Sequence, residues 1–251
     1  MRRQDGAFVI EGHKLLEVAL QAGAEVESVY LAPGAGNAEQ VAAGAAMSAG
    51  ARVFDLAPDV LQRVAGTVTP QPVLAVVRTP AAPPDALRAA SLLVVCVDVR
   101  DPGNLGTVVR SAAAAGAGAV VCCSGTADPF NPKTVRSSAG AVLQVPLVVD
   151  VEPAAVLDEL GSLGVRRVGA VAAGGMSHTA VDWSVPSAIV LGNEASGLGG
   201  DVVARLDGRV TIPMAPGIES LNVSMAATVL CFEVVRQRSN LHEMRNDGSV
   251  P

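Results

Sequence analysis

The chain has few aromatic residues: one Trp, one Tyr and four Phe among 251 residues. Because hydrophobic residues still make up 50% of the sequence, aliphatic side chains must fill the core, which is large enough for one large domain or two modest ones. Cations are not in excess either, since the formal net charge is −6. This charge argues against binding nucleic acid through the field of the whole protein, and it leaves a local basic patch open.

Cysteine motifs and long apolar runs are also absent. The four cysteines form no CxxC pair and have no ligand spacing with the three histidines, so we expect reduced core cysteines and no metal site. No charged start is followed by an apolar stretch, and no uninterrupted apolar run approaches the ~20 residues that span a bilayer. These absences predict a cytoplasmic protein without a membrane segment.

Strand-like and helix-like segments alternate along the chain, which predicts an α/β fold. A first α/β unit covers 1–78, and residues 79–90, rich in Pro and Ala, predict a semi-rigid linker. The second unit, 91–238, opens with LLVVCVDV, a run apolar on both faces as in a central parallel strand. A last helix is predicted from Leu221 to Arg238, followed by a polar tail over 239–251.

The second unit contains a segment, DVRDPGNLGTVVR, in which a tight turn follows an apolar strand and leads into a helix near Leu105. Ligand crevices of open α/β sheets lie at such strand ends. Asn104 and Arg110 are the candidate functional residues of this segment. The alternative is a plain strand–turn–helix connection in which Asn104 caps the helix and Arg110 is solvated.

Two later segments have the same character. In IVLGNEASGL, Gly192 follows a buried strand and Glu194 comes two residues later, and a glycine there lets a ligand approach the backbone. In IPMAPGIESLNVS, the residues Ser220, Leu221 and Asn222 lie at the start of the final helix, where Ser220 is a candidate helix cap. Neither GxGxxG after a strand nor GxxxxGK[ST] occurs, so the sequence does not predict a dinucleotide site or a phosphate-binding loop.

Together and in this order, the three segments resemble the signature motifs of the SpoU/TrmH family, in the SPOUT class of RNA 2′-O-ribose methyltransferases. The matching patterns are NxGxxxR from Asn104 to Arg110, LGNE–GL from Leu191 to Leu198, and IPM…SLNVS from Ile212 to Ser224. In the first unit, FVIEGHKLLEVAL and TVTPQPVLAV resemble the family's ribosomal-protein-like substrate-binding domain. The resemblance implies a C-terminal trefoil-knotted methyltransferase domain behind a smaller N-terminal α/β domain.

The resemblance also implies an activity, the transfer of a methyl group from S-adenosylmethionine to a ribose 2′-hydroxyl of structured RNA, without a metal. The implied catalytic residues are Arg110, Asn104, Glu194, Ser220 and Asn222. The implied cofactor-binding residues, acting largely through their backbone, are Leu191, Gly192, Ile212, Met214 and Leu221. Residues of the first unit that are suited to phosphate contacts are Arg2, Arg3 and Lys14. A homodimer is implied, formed by the final helix and the helix of the first motif.

Several alternatives stay open at this stage. The separate first unit and the linker favour ribosomal RNA over transfer RNA, and a ribosomal enzyme of this family can confer antibiotic resistance. Arg110 acts either as a base or as an electrostatic stabiliser, because a guanidinium stays protonated at ordinary pH. A catalytically silent RNA-binding relative and a small-molecule-binding α/β enzyme with mimicking loops are the competing functional classes.

Overall fold

The computed structural model describes residues 6–58, 60–64, 70–83 and 85–246. The strands are β1 Ala7–Glu11, β2 Val26–Leu31, β3 Arg52–Asp55, β4 Val73–Arg78, β5 Leu92–Cys96, β6 Ala119–Cys123, β7 Leu147–Val151, β8 Arg166–Ala170, β9 Met176–Ser177, β10 Ser187–Leu191 and β11 Gly208–Thr211. The helices are α1 His13–Gln21, α2 Asn37–Ser48, α3 Val60–Val64, α4 Ala86–Ala89, α5 Pro102–Ala114, α6 Pro132–Ser137, α7 Pro153–Ser162, α8 Gly200–Val203 and α9 Val223–Asn246.

The first unit is built on a four-stranded sheet in the order β1-β4-β2-β3. Strand β4 is antiparallel to β1 and β2, while β3 runs parallel to β2. Helix α1 buries Leu16 and Ala19, and α2 buries Ala43 and Ala46, in the core that also contains Val29 of β2. The predicted alternation of strands and helices in this unit is confirmed.

The second unit is built on a seven-stranded sheet in the order β7-β6-β5-β10-β8-β11-β9. Every neighbouring pair is parallel, and all residues of β5, β6 and β10 are buried. This confirms the predicted parallel sheet, because strands covered on both faces read as continuous apolar runs. The short β9 was not predicted, since two residues carry no recognisable pattern. The trefoil knot stays a prediction.

The four cysteines are free thiols in the core, as predicted. Burial raises the pKa of Cys122, Cys123 and Cys231 to about 12, and it raises the pKa of Cys96 well above its usual value. Thiols in apolar surroundings stay protonated and unreactive, so these residues act as small core side chains.

The two units share one hydrophobic core instead of standing apart on a linker. The rings of Phe8 in β1 and Phe130 before α6 lie 5.0 Å apart between centroids. On α1, Leu15 and Val18 face Gly140, where an added Cβ would lie 3.2 and 2.8 Å from their methyl groups. Exposing this interface would place several apolar side chains in water, so we expect the units to unfold together.

The segment between the units and the end of the chain are both more ordered than predicted. Within the predicted linker, 79–90, helix α4 forms, and Ala86 and Ala90 are buried. The last helix, predicted to end at Arg238, continues to Asn246, because neither Pro nor Gly occurs between 218 and 247 to stop it. Arg238 donates to the carbonyl oxygens of Trp183 and Val185 at 3.0 and 3.1 Å, which fixes the helix to the sheet.

Candidate active site

The three sequence segments come together at the carboxyl ends of β5, β10 and β11. The first segment follows β5 and enters α5, the second follows β10, and the third connects β11 to α9. Because β10 pairs with β5, the loop containing Glu194 lies beside the start of α5. The parallel sheet therefore positions these polar side chains where a ligand crevice is expected.

Helix α5 begins earlier than the sequence suggested. It starts at Pro102, and Asp101 is its N-cap, whose Oδ1 accepts from the backbone N–H of Asn104 at 2.8 Å. The predicted helix start near Leu105 is therefore wrong, and so is the alternative in which Asn104 caps the helix, because proline at the first helical position and aspartate before it form a stronger start signal. The hydrogen bond from Asn104 and the contact with Lys133 lower the pKa of Asp101.

Because Asp101 caps α5, the side chain of Asn104 is available to link the other two segments. Its Nδ2 donates to Oε1 of Glu194 at 3.0 Å, and its Oδ1 accepts from Nδ2 of Asn222 at 3.0 Å. The backbone N–H groups of Arg100 and Asp101 also point at the Glu194 carboxylate, each at 3.4 Å. Asn222, Asn104 and Glu194 thus form one hydrogen-bonded row, which we call the amide row.

The ionised state of Glu194 determines which group donates and which accepts in each hydrogen bond of the amide row. Partial burial acts to raise the pKa of this carboxyl group, but the amide of Asn104 and the N–H groups of Arg100 and Asp101 lower it, and the pKa ends below its usual value. An ionised carboxylate only accepts hydrogen bonds, so Asn104 must turn its NH₂ towards Glu194 and its oxygen towards Asn222.

Asn222 completes the amide row by capping the final helix. Its Oδ1 accepts from the backbone N–H of Ser224 at 2.8 Å and from the Ser224 hydroxyl at 2.7 Å. Helix α9 begins at Val223, so Asn222 is the N-cap and the candidate cap at Ser220 is not used. The catalytic candidate Asn222 therefore has its orientation fixed by the helix that follows it.

Gly192 is required by the protein's own backbone. A Cβ at this position would lie 2.5 Å from the carbonyl carbon of Gly197 and 2.8 Å from the nitrogen of Leu198. The expectation that the missing side chain leaves room for a ligand is therefore incomplete. The glycine first allows the loop 193–198 to fold back onto the end of β10.

Asn193 and Asp98 hold this loop, and sequence reasoning missed both as site residues. The side-chain oxygen of Asn193 accepts from the N–H groups of Ala195 and Ser196 at 2.9 and 3.0 Å. Its Nδ2 donates to the backbone oxygen of Asp98 at 3.0 Å, and Asp98 has a positive φ of 58°. The LGNE pattern contained the signal for Asn193, whereas nothing in the sequence marks the backbone of Asp98.

A cavity of about 790 Å³ opens beside the amide row. All five residues predicted to bind the cofactor line it, namely Leu191, Gly192, Ile212, Met214 and Leu221. Glu194, Ser220 and Asn222 line it as well. Two charged residues that the sequence did not single out, Arg209 and Glu219, also contribute to its wall.

Other predicted residues lie elsewhere. Arg110 is exposed on α5, and within the described part of the chain its guanidinium has no hydrogen-bond or ion-pair partner. Lys14 is exposed on α1 of the first unit. Arg2 and Arg3 fall outside the described residues. The structure thus brings Asn104, Glu194, Ser220 and Asn222 to one site, and it leaves Arg110 exposed on α5, outside the lining of the cavity.

The described ranges contain neither a metal-ligand cluster nor a membrane-spanning helix. There, no three or more His, Cys, Asp or Glu side chains are placed to hold a metal ion. Among the helices of those same ranges, none is both long and apolar enough to span a bilayer.

Comparison with known proteins gives two family matches that divide the chain as its two sheets do. The SpoU rRNA Methylase family matches residues 91–232, and the MRM3-like substrate binding domain matches residues 1–75. The chain is 33% identical over 233 residues to the 23S rRNA (guanosine(2553)-2′-O)-methyltransferase RlmP of Bacillus subtilis, covering 93% of this chain and 90% of the relative. It is 31% identical to the 23S rRNA (uridine(2479)-2′-O)-methyltransferase of Streptomyces viridochromogenes, covering 94% and 85%.

The solved structures agree with these matches. The SpoU methyltransferase AviRb from Streptomyces viridochromogenes, in complex with AdoMet, superposes with a TM-score of 0.83 at 28% identity, covering 95% of this chain and 93% of that chain. The resemblance drawn from the three motifs and the predicted α/β fold are confirmed. Since the family matches more than half of the residues, the chain belongs to the SpoU rRNA methylase family.

Proposed function

We propose that the protein transfers a methyl group from S-adenosylmethionine to a ribose 2′-hydroxyl of ribosomal RNA. One observation supports this most strongly: residues of all three family motifs meet in the amide row, at the wall of a cavity that residues of the second and third motifs line. The relatives named above are 23S rRNA 2′-O-methyltransferases, which favours ribosomal RNA over transfer RNA as the substrate.

The cavity fits this cofactor in size and in chemistry. Its volume of about 790 Å³ lies in the range of small-molecule sites, and Ile212, Met214 and Leu221 give it an apolar wall. The carboxylates of Glu194 and Glu219 complement a cationic ligand, and Arg209 complements a carboxylate. Leu191 and Gly192 would join the three apolar residues in holding the cofactor, which supplies an electrophilic methyl group on a sulfonium.

The amide row orients the reacting ribose. The backbone N–H groups of Arg100 and Asp101 fix the position of the Glu194 carboxylate. This carboxylate can therefore accept a hydrogen bond from a ribose hydroxyl without moving. Asn104, Asn222 and Ser220 support that geometry. We assign Arg110 an electrostatic role: its unpaired guanidinium binds a phosphate of the substrate and stabilises the negative charge that develops on the attacking oxygen.

The two units divide the work. We assign RNA selection to residues 1–78, in which Arg2, Arg3 and Lys14 are among the phosphate contacts. We assign methyl transfer to residues 91–238. Residues 79–90 connect the two units, and residues 239–251 follow the second unit.

We also propose a homodimer formed through α9 and α5. Met225 and Phe232 of α9 are 59% and 47% exposed, and a second copy would remove these apolar side chains from water.

The proposed function is tested by titrating the protein with S-adenosylmethionine in a calorimeter with EDTA present, followed by methyl transfer. We expect saturable binding without metal, and labelled methyl groups in ribosomal RNA that survive alkali as a 2′-O-methylated dinucleotide. Transfer RNA should accept far less label. No binding up to about millimolar cofactor, or label in alkali-sensitive positions only, would contradict the proposal.

Two glycine variants serve as a matched pair in this titration. Gly192→Val should abolish cofactor binding, because the added carbon atoms displace the loop backbone at Gly197 and Leu198. Gly199→Ala should bind normally, because nothing lies within 4 Å of the added Cβ. Normal affinity in Gly192→Val would move the cofactor to another cavity.

Removing the side chain of Asn104 should shift the acidic limb of the pH–rate profile to higher pH. The Asn104 amide is one of the groups that lower the pKa of Glu194, so in Asn104→Ala the pKa of Glu194 rises. Protonation of Glu194 then begins at a higher pH, and activity falls earlier on acidification. Carboxyl NMR titration of Glu194 measures the shift directly. As a control, Asn131→Ala, which removes the cap of α6, should leave the limb in place.

A further inference from the structure

The sheet of the first unit has one face turned away from helices α1 and α2, and Leu61 of α3 packs near Tyr30 on that face. On β3, Val53 packs towards the shared core, while Arg52 and Phe54 lie on the opposite face. Tyr30 is the direct neighbour of Phe54 on β2 and lies on the same face. Strand β3 is the last strand of the sheet in the order β1-β4-β2-β3, so this surface is at the edge of the sheet away from β1.

Arg52, Phe54 and Tyr30 form a small stack, which we call the β3 platform. The rings of Tyr30 and Phe54 have centroids 5.4 Å apart and planes inclined by 22°. The guanidinium carbon of Arg52 lies 5.8 Å from the centroid of the Phe54 ring. In the described part of the chain, Arg52 has no carboxylate partner, so its charge is available to a ligand.

Phe54 is one of two exposed phenylalanines. Phe8, Phe130 and Trp183 are buried, whereas Phe54 is 43% exposed and Phe232 of α9 is 47% exposed. A stacked aromatic pair beside an unneutralised arginine is the arrangement on which unpaired bases stack in single-stranded nucleic-acid sites. The ring offers a flat apolar surface, and the guanidinium offers charge for a phosphate.

A cavity of about 690 Å³ adjoins the platform. Arg52, Arg78, Glu25 and Glu27 line it, together with Gly23 and Gly50 at the ends of α1 and α2. Arg78 forms an ion pair with Glu27, so Arg52 is the cation of this wall without a carboxylate partner.

We propose that the β3 platform is a binding site for an unpaired nucleotide of the substrate RNA. The base stacks on Phe54, and Arg52 binds the adjacent phosphate. This inference rests on the proposed function, because it assumes an RNA substrate, and it adds a second point of contact far along the chain from the amide row. Bases within a duplex are stacked on each other, so the platform selects a loop, bulge or single strand.

The test uses the full-length protein and two labelled probes, a 12-nucleotide oligouridine and a 12-base-pair RNA duplex, in fluorescence anisotropy. Phe54→Ala and Phe54→Leu should each weaken oligouridine binding by about 5- to 100-fold, because base–aromatic stacking is lost. Phe54→Tyr should keep wild-type affinity. All three variants should bind the duplex within about twofold of the wild type, since phosphate contacts dominate duplex binding.

Met47→Ala is the matched control, because Met47 is an apolar side chain, 61% exposed, on α2 of the same unit. It should change neither probe's affinity. Arg52→Ala should weaken oligouridine binding and lower the slope of log affinity against log salt by about 0.7, the value of one phosphate contact on a single strand.

Several results would overturn the proposal. These are unchanged oligouridine affinity in Phe54→Ala, equal losses for single strand and duplex, and a wild-type protein that does not bind oligouridine. Calorimetric titration of the same variants with S-adenosylmethionine separates the two hypotheses. If cofactor binding persists while stacking fails, only the platform is wrong, and if the wild type binds no cofactor, the proposed function itself is wrong.

Discussion

Arg110→Ala is expected to lower the rate of methyl transfer by about 10²- to 10³-fold, the usual cost of removing one preorganised group that stabilises transition-state charge. Cofactor affinity should stay unchanged, because Arg110 is exposed on α5 and does not line the cofactor cavity. Single-turnover kinetics with saturating RNA and cofactor measure the chemical step directly. An unchanged single-turnover rate would exclude Arg110 from the reaction.

Arg110→Lys tests whether a positive charge at this position is enough, or whether the planar guanidinium with its paired hydrogen bonds is required. We expect it to remain near the alanine variant, because an ammonium group cannot reproduce the paired hydrogen bonds of a guanidinium with a phosphate. Arg88→Ala is the matched control, since Arg88 is another exposed arginine and should leave the rate unchanged. Full activity in Arg110→Lys would show that charge alone suffices.

Gly106→Ala should destabilise the protein by about 1–3 kcal/mol, the usual cost of inserting a group into a packed interface. A Cβ at this position of α5 would overlap the Ser137 hydroxyl and the Thr134 carbonyl oxygen, and it would lie 2.9 Å from the nitrogen of Ser138. Helices α5 and α6 would have to separate, which also displaces Asn104 from the amide row. Urea unfolding and the methyl-transfer rate measure the two effects.

Gly44→Ala is the control for this experiment. Gly44 lies inside helix α2, and nothing lies within 4 Å of an added Cβ there. Alanine in a helix interior restricts the unfolded chain, so this variant should be more stable by about 0.5–1 kcal/mol. Equal destabilisation in both glycine variants would mean that the contact between α5 and α6 is not the cause.

Much of the second unit could be predicted because its strands are buried on both faces. The runs LLVVC and SAIVL are typical of central parallel strands, and polar residues after such strands line one edge of the sheet. That rule predicted that the three segments lie near a ligand crevice, and the resemblance to the SpoU/TrmH family identified Asn104, Glu194 and Asn222 within them. Parallel pairing of β5 with β10 then placed the first two motifs side by side.

Details that depend on contacts distant in sequence could not be predicted. Gly192 is required because the backbone of Gly197 lies against it. The sequence does not predict the conformation of the loop that brings Gly197 there. The alternative in which Asn104 caps α5 rests on asparagine being a good cap, but Asp101 with Pro102 is the better start. The packing of Phe8 on Phe130 joins residues more than a hundred positions apart, and no local pattern reveals it.

The shared core limits how specificity can evolve or be engineered in this protein. Phe8, Leu15 and Val18 of the first unit fit directly against Phe130 and Gly140 of the second. A substrate domain taken from a relative would therefore carry its own contact residues onto a surface shaped for different ones. Transplanting RNA specificity therefore requires exchanging the contact residues on both sides of this interface together.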